Sequence, residues 1–120
     1  GFPKEMLLMG AAFYSRKWEN VKDRYHGFLQ YTEKGGGYGP NYDELAEKYI
    51  DKNGYVSYWD DEAKAPFLFN GSTFISYDDE RSLSCKCKYV KEEGIGGIFY
   101  WCHTGDTSGV LLRKIGEEIR

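Results

Sequence analysis

The hydrophobic pattern changes period several times along the chain, and each change marks an element. Met6-Leu7-Leu8-Met9-Gly10-Ala11-Ala12-Phe13-Tyr14 is a near-continuous apolar run without alternation. That is the pattern of a short strand buried on both faces. Residues 17–40 show no period and end in Gly35-Gly36-Gly37-Tyr38-Gly39-Pro40, which reads as irregular chain closing in a loop. The glycine cluster lacks both the Lys-Ser/Thr sequel and the strand-to-helix setting of a phosphate cradle. From there Tyr42, Leu45, Ala46, Tyr49 and Ile50 recur on one helical face. Asn41 stands where it would cap this helix, with Glu44 at the capping-box position, and Asn53-Gly54 stops it.

Short aromatic-rich runs follow. Tyr55 to Trp59, an acidic turn through Asp60-Asp61-Glu62, Pro66-Phe67-Leu68-Phe69 and Thr73-Phe74-Ile75-Ser76-Tyr77 predict a small antiparallel sheet. Asn70-Gly71 between the last two runs predicts a type I′ hairpin turn, in which both central residues take positive φ. Helical spacing then returns. Asp78 or Asp79 is placed to cap a helix running to about Glu93, with Leu83, Cys87 and Val90 on its inner face. Gly94 suits the left-handed position after that helix, and Ile95 is placed to close the cap. Ile95 to Trp101 reads as a second buried strand, and Leu111, Leu112, Ile115 and Ile119 mark a last helix. The fold class is therefore α/β with an α+β insertion: without residues 17–77, a βαβα unit remains, the repeating module of a parallel barrel. Two parallel strands bury little alone, so the chain reads as one part of a larger fold.

Composition narrows the function classes. The chain has 120 residues, 29% of them charged, and a net charge of −3. A mildly acidic chain with interspersed charges argues against nucleic acid, which requires a basic face. No apolar run approaches the roughly 18 residues of a membrane span. The chain opens at Gly1 with no signal-type segment, as if cut from something longer. Its 11 Tyr, 7 Phe and 3 Trp are an unusually high aromatic content. Two readings stand open: a carbohydrate surface, since ring faces stack on sugars, or a Tyr-rich sheet with rings packed across strands. Cys85, Cys87 and Cys102 are odd in number and exclude a full disulfide framework. Cys85 and Cys87 point apart on a helix, and with His103 or His26 they fail the ligand spacing of a zinc site. Asp60-Asp61-Glu62 and Asp78-Asp79-Glu80 could be taken for catalytic carboxylate pairs, but helix capping and an exposed turn account for them more simply.

Four ordered segments resemble family 18 glycoside hydrolases of the chitinase type. Lys4-Glu5-Met6-Leu7-Leu8-Met9-Gly10 through Phe13-Tyr14-Ser15-Arg16 resembles barrel strand seven, which reads K-x-x-L-x-x-G-x-P-F-Y-G-R in the family. Trp59-Asp60-Asp61-Glu62-Ala63-Lys64-Ala65-Pro66-Phe67 resembles the insertion domain, and Tyr77-Asp78-Asp79-Glu80-Arg81-Ser82 resembles the start of helix seven. Gly94-Ile95-Gly96-Gly97-Ile98-Phe99-Tyr100-Trp101 resembles strand eight, G-x-G-G-x-x-x-W. The chain departs from the pattern at Ala12 and Ser15, where the family has Pro and Gly, and at Cys102-His103 after the Trp.

The resemblance implies the last quarter of a TIM (β/α)8 barrel with a small antiparallel-sheet-and-helix insertion domain. It divides the chain into strand seven (residues 1–16), the insertion domain (17–77), and helix seven, strand eight and helix eight (78–120). It implies hydrolysis of β-1,4-linked N-acetylglucosamine polymers with retention, the substrate's own acetamido oxygen acting as nucleophile, and no cofactor or metal. The family's catalytic acid ends a D-x-x-D-x-D-x-E motif that this chain lacks, so the acid is expected upstream of Gly1 and the piece alone is expected to be inactive. Trp101 resembles the Trp that floors the sugar site, and Tyr14 and Arg16 resemble the pair that hydrogen-bonds the sugar. The implied partner is chitin or a chitooligosaccharide, and the implied location is extracellular. Self-association of the isolated piece through exposed barrel edges is also expected. Two alternatives remain: a relative that binds oligosaccharide without cleaving it, and a hydrolase of peptidoglycan-type glycans.

Overall fold

The computed structural model describes residues 3–21, 23, 25–28, 32, 36–101 and 105–119; Trp101 is described through its backbone alone. The two long apolar runs form β1 (Leu8–Ala12) and β7 (Gly97–Trp101), which pair in parallel with Leu8 opposite Gly97 and Ala12 opposite Trp101. A five-stranded antiparallel sheet stands between them in sequence. Its strands are β2 (Arg16–Trp18), β3 (Gly37–Tyr38), β4 (Val56–Asp60), β5 (Ala65–Phe69) and β6 (Phe74–Ser76), in the spatial order β3-β2-β6-β5-β4. Helices α2 (Glu80–Glu93) and α3 (Val110–Glu118) pack together and against the parallel pair.

The α2 helix follows its local code closely. Asp79 is the N-cap: its Oδ1 accepts from Ser82 N at 2.8 Å while Ser82 Oγ accepts from Asp79 N at 2.9 Å. Gly94 takes φ 69 and Ile95 N donates to Val90 O, closing the C-terminal cap. The inner face carries Leu83, Cys87 and Val90, all buried. Leu83 and Cys87 meet Ala11, Phe13, Leu111 and Ile115 in one core, and a second core joins Leu45 to Leu68 and Ile75 of the antiparallel sheet and to Tyr77 just after it.

Four expectations are corrected. The parallel strands are covered on one face, not two. Ala11 and Phe13 face the helices and are buried, whereas Leu8 is 60% and Phe99 51% exposed. Side chains alternate between faces, and among the described residues the helices cover only one of them. The helix expected from Asn41 to about residue 52 is a single α turn, Tyr42–Glu44 (α1), continued by a π turn over Leu45–Tyr49. Asn41 makes no side-chain cap, and the N–H of Tyr42, the first residue of the turn, donates to Phe13 O at 3.0 Å. The wider π turn leaves Ala46 exposed, and the freed carbonyls are met by Lys52 and Asn53 side chains.

The remaining two corrections concern the sheet. The stretch expected to be irregular supplies two of its strands, since Arg16 pairs with Tyr38 and Lys17 with Gly37. Strands of two and three residues are too short to show alternation. The turn after β5 is not type I′: Gly71 alone takes positive φ, at 103°. Asn70 instead accepts from Ser72 N and Thr73 N through Oδ1, at 3.0 and 2.7 Å, in a four-residue loop.

Candidate functional site

The chain passes from one sheet to the other through Phe13-Tyr14-Ser15, between the last residue of β1 and the first of β2. Every neighbour of Tyr14 is pinned. Ala12 N donates to Asp78 Oδ2 at 2.9 Å, Phe13 O accepts from Tyr42 N at 3.0 Å, and buried Ser15 donates its Oγ to Pro40 O at 2.6 Å. Ser15 O in turn accepts from Gly39 N at 2.9 Å. This explains one glycine of the cluster, because a Cβ on Gly39 would lie 2.6 Å from Ser15 Oγ. Tyr14 is therefore presented from a backbone with little freedom.

Tyr14 and Arg16 line a cavity of about 520 Å³ between the ends of β1 and β6, the β4–β5 turn and the middle of α2. Ser76, Asp78, Lys86 and Tyr89 line it as well. On its wall lies an ion pair whose acid is almost fully buried: Lys86 Nζ is 2.6 Å from Asp78 Oδ2 and 2.8 Å from Gly10 O. Asp78 Oδ1 accepts from Ser82 Oγ at 2.8 Å. One carboxylate thus ties strand β1 to helix α2. Tyr77, also on the cavity, has a pKa pushed up to about 12, first by burial, so its phenol stays neutral at physiological pH.

Four of the six acids in the two acidic clusters are held in structural contacts. Asp79 caps α2, Asp78 sits in the buried pair, and Asp60 Oδ2 accepts from Ala63 N. Asp61 is bonded to Lys64 at 2.9 Å, and the hydrogen bond and charge of that lysine hold its carboxyl below the usual range. A general acid needs the opposite shift. Cys87 is buried in the core and Cys85 lines the cavity, pointing apart as their spacing requires. Cys102 and His103 lie outside the described residues.

Of the three site residues named from sequence, the structure brings Tyr14 and Arg16 together. Both meet Tyr38: the Tyr14 and Tyr38 rings are 5.6 Å apart at 73°, and Arg16 Cζ lies 4.9 Å over the Tyr38 ring. The register sets the Trp101 backbone opposite Ala12, two residues before Tyr14; its side chain lies outside what is described. Two contributors were missed, Tyr38 and the Asp78–Lys86 pair. Their only local signals were an aromatic in a glycine loop and an acid eight residues before a lysine.

The family described as Glycosyl hydrolases family 18 matches residues 1–106. This chain belongs to that family. Chitinase A1 of Niallia circulans is 36% identical over 99% of this chain, and a probable endochitinase of Caenorhabditis elegans is 37% identical over 84% of it. A family 18 N-acetylglucosaminidase from Paenibacillus barengoltzii superposes with a TM-score of 0.96 at 50% identity over 98% of the chain. The chitinase ChiW of a Paenibacillus species, a cell-surface multi-modular enzyme, superposes with a TM-score of 0.90 at 42% identity. This chain spans 18% and 17% of the first two family 18 proteins and 35% and 14% of the latter two. The structures carry the TIM-barrel type of fold to which the chain's mixed sheets and helices correspond.

Proposed function

We propose that the chain supplies one wall and the floor of the sugar cleft in a chitinase-type family 18 glycosidase, acting on β-1,4-linked N-acetylglucosamine polymers. In this reading residues 1–16 carry barrel strand seven, 17–77 the insertion domain, and 78–120 helix seven, strand eight and helix eight. The observation that carries it is the parallel pairing of β1 with β7. It supports a site at the carboxyl ends of adjacent parallel strands, where barrel enzymes hold their substrates. Trp101 then stacks beneath a sugar ring, Tyr14 donates its hydroxyl, and Arg16 offers planar N–H donors to sugar oxygens. The catalytic acid comes from another segment of the full-length protein, and the substrate acetamido oxygen is the nucleophile. Export from the cell fits a polymeric substrate and the cell-surface enzyme among the relatives.

The test is hydrolysis of N-acetyl-chitooligosaccharides by the full-length protein, with products separated by length and their anomeric form followed by NMR. Retained products are expected. Terminal monosaccharide release would align the specificity with the N-acetylglucosaminidase relative, and internal cleavage with the endochitinase. Tight binding with no turnover would replace the enzyme by a sugar-binding protein. Turnover of peptidoglycan fragments alone would replace the substrate.

A further inference from the structure

Three cations line the cavity, and two of them are spent. Lys86 is engaged by Asp78 and the Gly10 carbonyl, and Lys64 by Asp61. Arg16 differs: among the described residues its side chain meets no carboxylate and lies over the face of the Tyr38 ring. A ring face attracts the cation without cancelling its charge, so the guanidinium stays able to donate to a ligand. An arginine held this way is fixed without being neutralised.

We propose that Tyr38 is the positioning residue for Arg16, and that it sets affinity for the sugar without touching the reacting atoms. The inference rests on the function proposed above. Its basis is structural: Arg16 and Tyr38 are direct cross-strand partners in the β2–β3 pair, so their side chains leave the same face of the sheet. Tyr14 meets the same ring edge-on, bracing it from the β1 side. The Tyr38 ring is 75% exposed and buries too little to matter to the core. An exposed aromatic between two cleft residues has its use in what it holds. A long arginine side chain otherwise loses rotamer freedom each time a ligand binds, and the ring removes part of that loss beforehand.

The experiment compares variants of the full-length protein on one N-acetyl-chitooligosaccharide, reading KM, kcat and Tm. Tyr38→Ala is expected to raise KM by about two- to five-fold, the factor an exposed cation–π contact supplies, with kcat and Tm little changed. Tyr38→Phe should match the parent, because the ring and not the hydroxyl does the holding. Tyr38→Leu keeps bulk without a π face and should behave as Ala, which keeps the test valid if Ala perturbs the loop. In an Arg16→Ala background, Tyr38→Ala should add nothing further. Wild-type KM for Tyr38→Ala beside a weakened Arg16→Ala overturns this inference alone, as does full additivity of the two or loss of affinity in Tyr38→Phe. An unchanged Arg16→Ala overturns the sugar contact itself, and the inference with it.

Discussion

Removing the Asp78 carboxylate should be the most damaging single change near the cavity. Three donors converge on it: Ala12 N at 2.9 Å, Ser82 Oγ at 2.8 Å and Lys86 Nζ at 2.6 Å. The acid is almost fully buried, and the Lys86 side chain is 29% exposed. Asp78→Ala strands a partly buried ammonium and the Ala12 N–H, while Ser82 Oγ keeps Asp79 O at 3.1 Å, so the cost approaches ~3 kcal/mol, the lower end for breaking a buried pair. Asp78→Asn keeps an acceptor for Ala12 N and loses the charge, and should cost about 1.5–3 kcal/mol. Lys86→Met leaves the carboxylate its other two donors, and water reaches that side, so its cost falls near the lower value. The sharper expectation concerns the pair: Asp78→Asn with Lys86→Met should be more stable than the two single losses summed, because no charge is left buried alone. Denaturant unfolding of the full-length protein, with unchanged m, measures all four. Because Ala12 is two residues from Tyr14, KM should also rise in Asp78→Ala. A loss below ~1 kcal/mol in Asp78→Ala, or strict additivity of the pair, would refute the reasoning.

Other predictions test separate parts of the structure. Gly39→Ala forces its Cβ to within 2.6 Å of Ser15 Oγ and should cost ~1–3 kcal/mol, whereas Gly37→Ala meets open space and should fall within ~0.5 kcal/mol of the parent; denaturation curves compare them. Burial raises Tyr77 from an ordinary value of 10 to about 12. The folded state therefore keeps its phenol proton longer than the unfolded chain, and the stability this contributes is complete below pH 10 and lost as pH rises toward about 12. Tyr77→Phe should flatten that alkaline decline at little cost near neutrality, since the hydroxyl's contact with Ser57 is a long 3.5 Å. Asp79→Ala removes the α2 cap and should lower stability by about 1 kcal/mol, and Asp79→Asn should restore most of it; thermal unfolding by circular dichroism reads both.

Legibility followed the range of the forces involved. The α2 helix could be read nearly to the residue because its cap, its inner face and Gly94 act within a few positions of one another. Tyr14, Arg16 and Trp101 were named through the family resemblance of the segments that carry them, not through periodicity. The helix after Asn41 departed from its local code: Asn41 makes no side-chain cap, and the turn widens to π geometry from Leu45. β2 and β3 were hidden because a strand of two residues has no period to detect. At Asn70 the side-chain acceptor outweighed the positive φ that the dipeptide suggested.

By itself, then, the order of residues determined α2, α3 and the longer strands, and that the two apolar runs pair in parallel across a looped-out insertion. Periodicity, caps and turn residues are local properties of the chain. Tertiary structure alone decided that Tyr38 would lie under Arg16 and that Asp78 and Lys86 would fasten β1 to α2. Those contacts join positions 22, 66 and 76 residues apart; the first needs the pairing of β2 with β3, and the others the packing of α2 against β1.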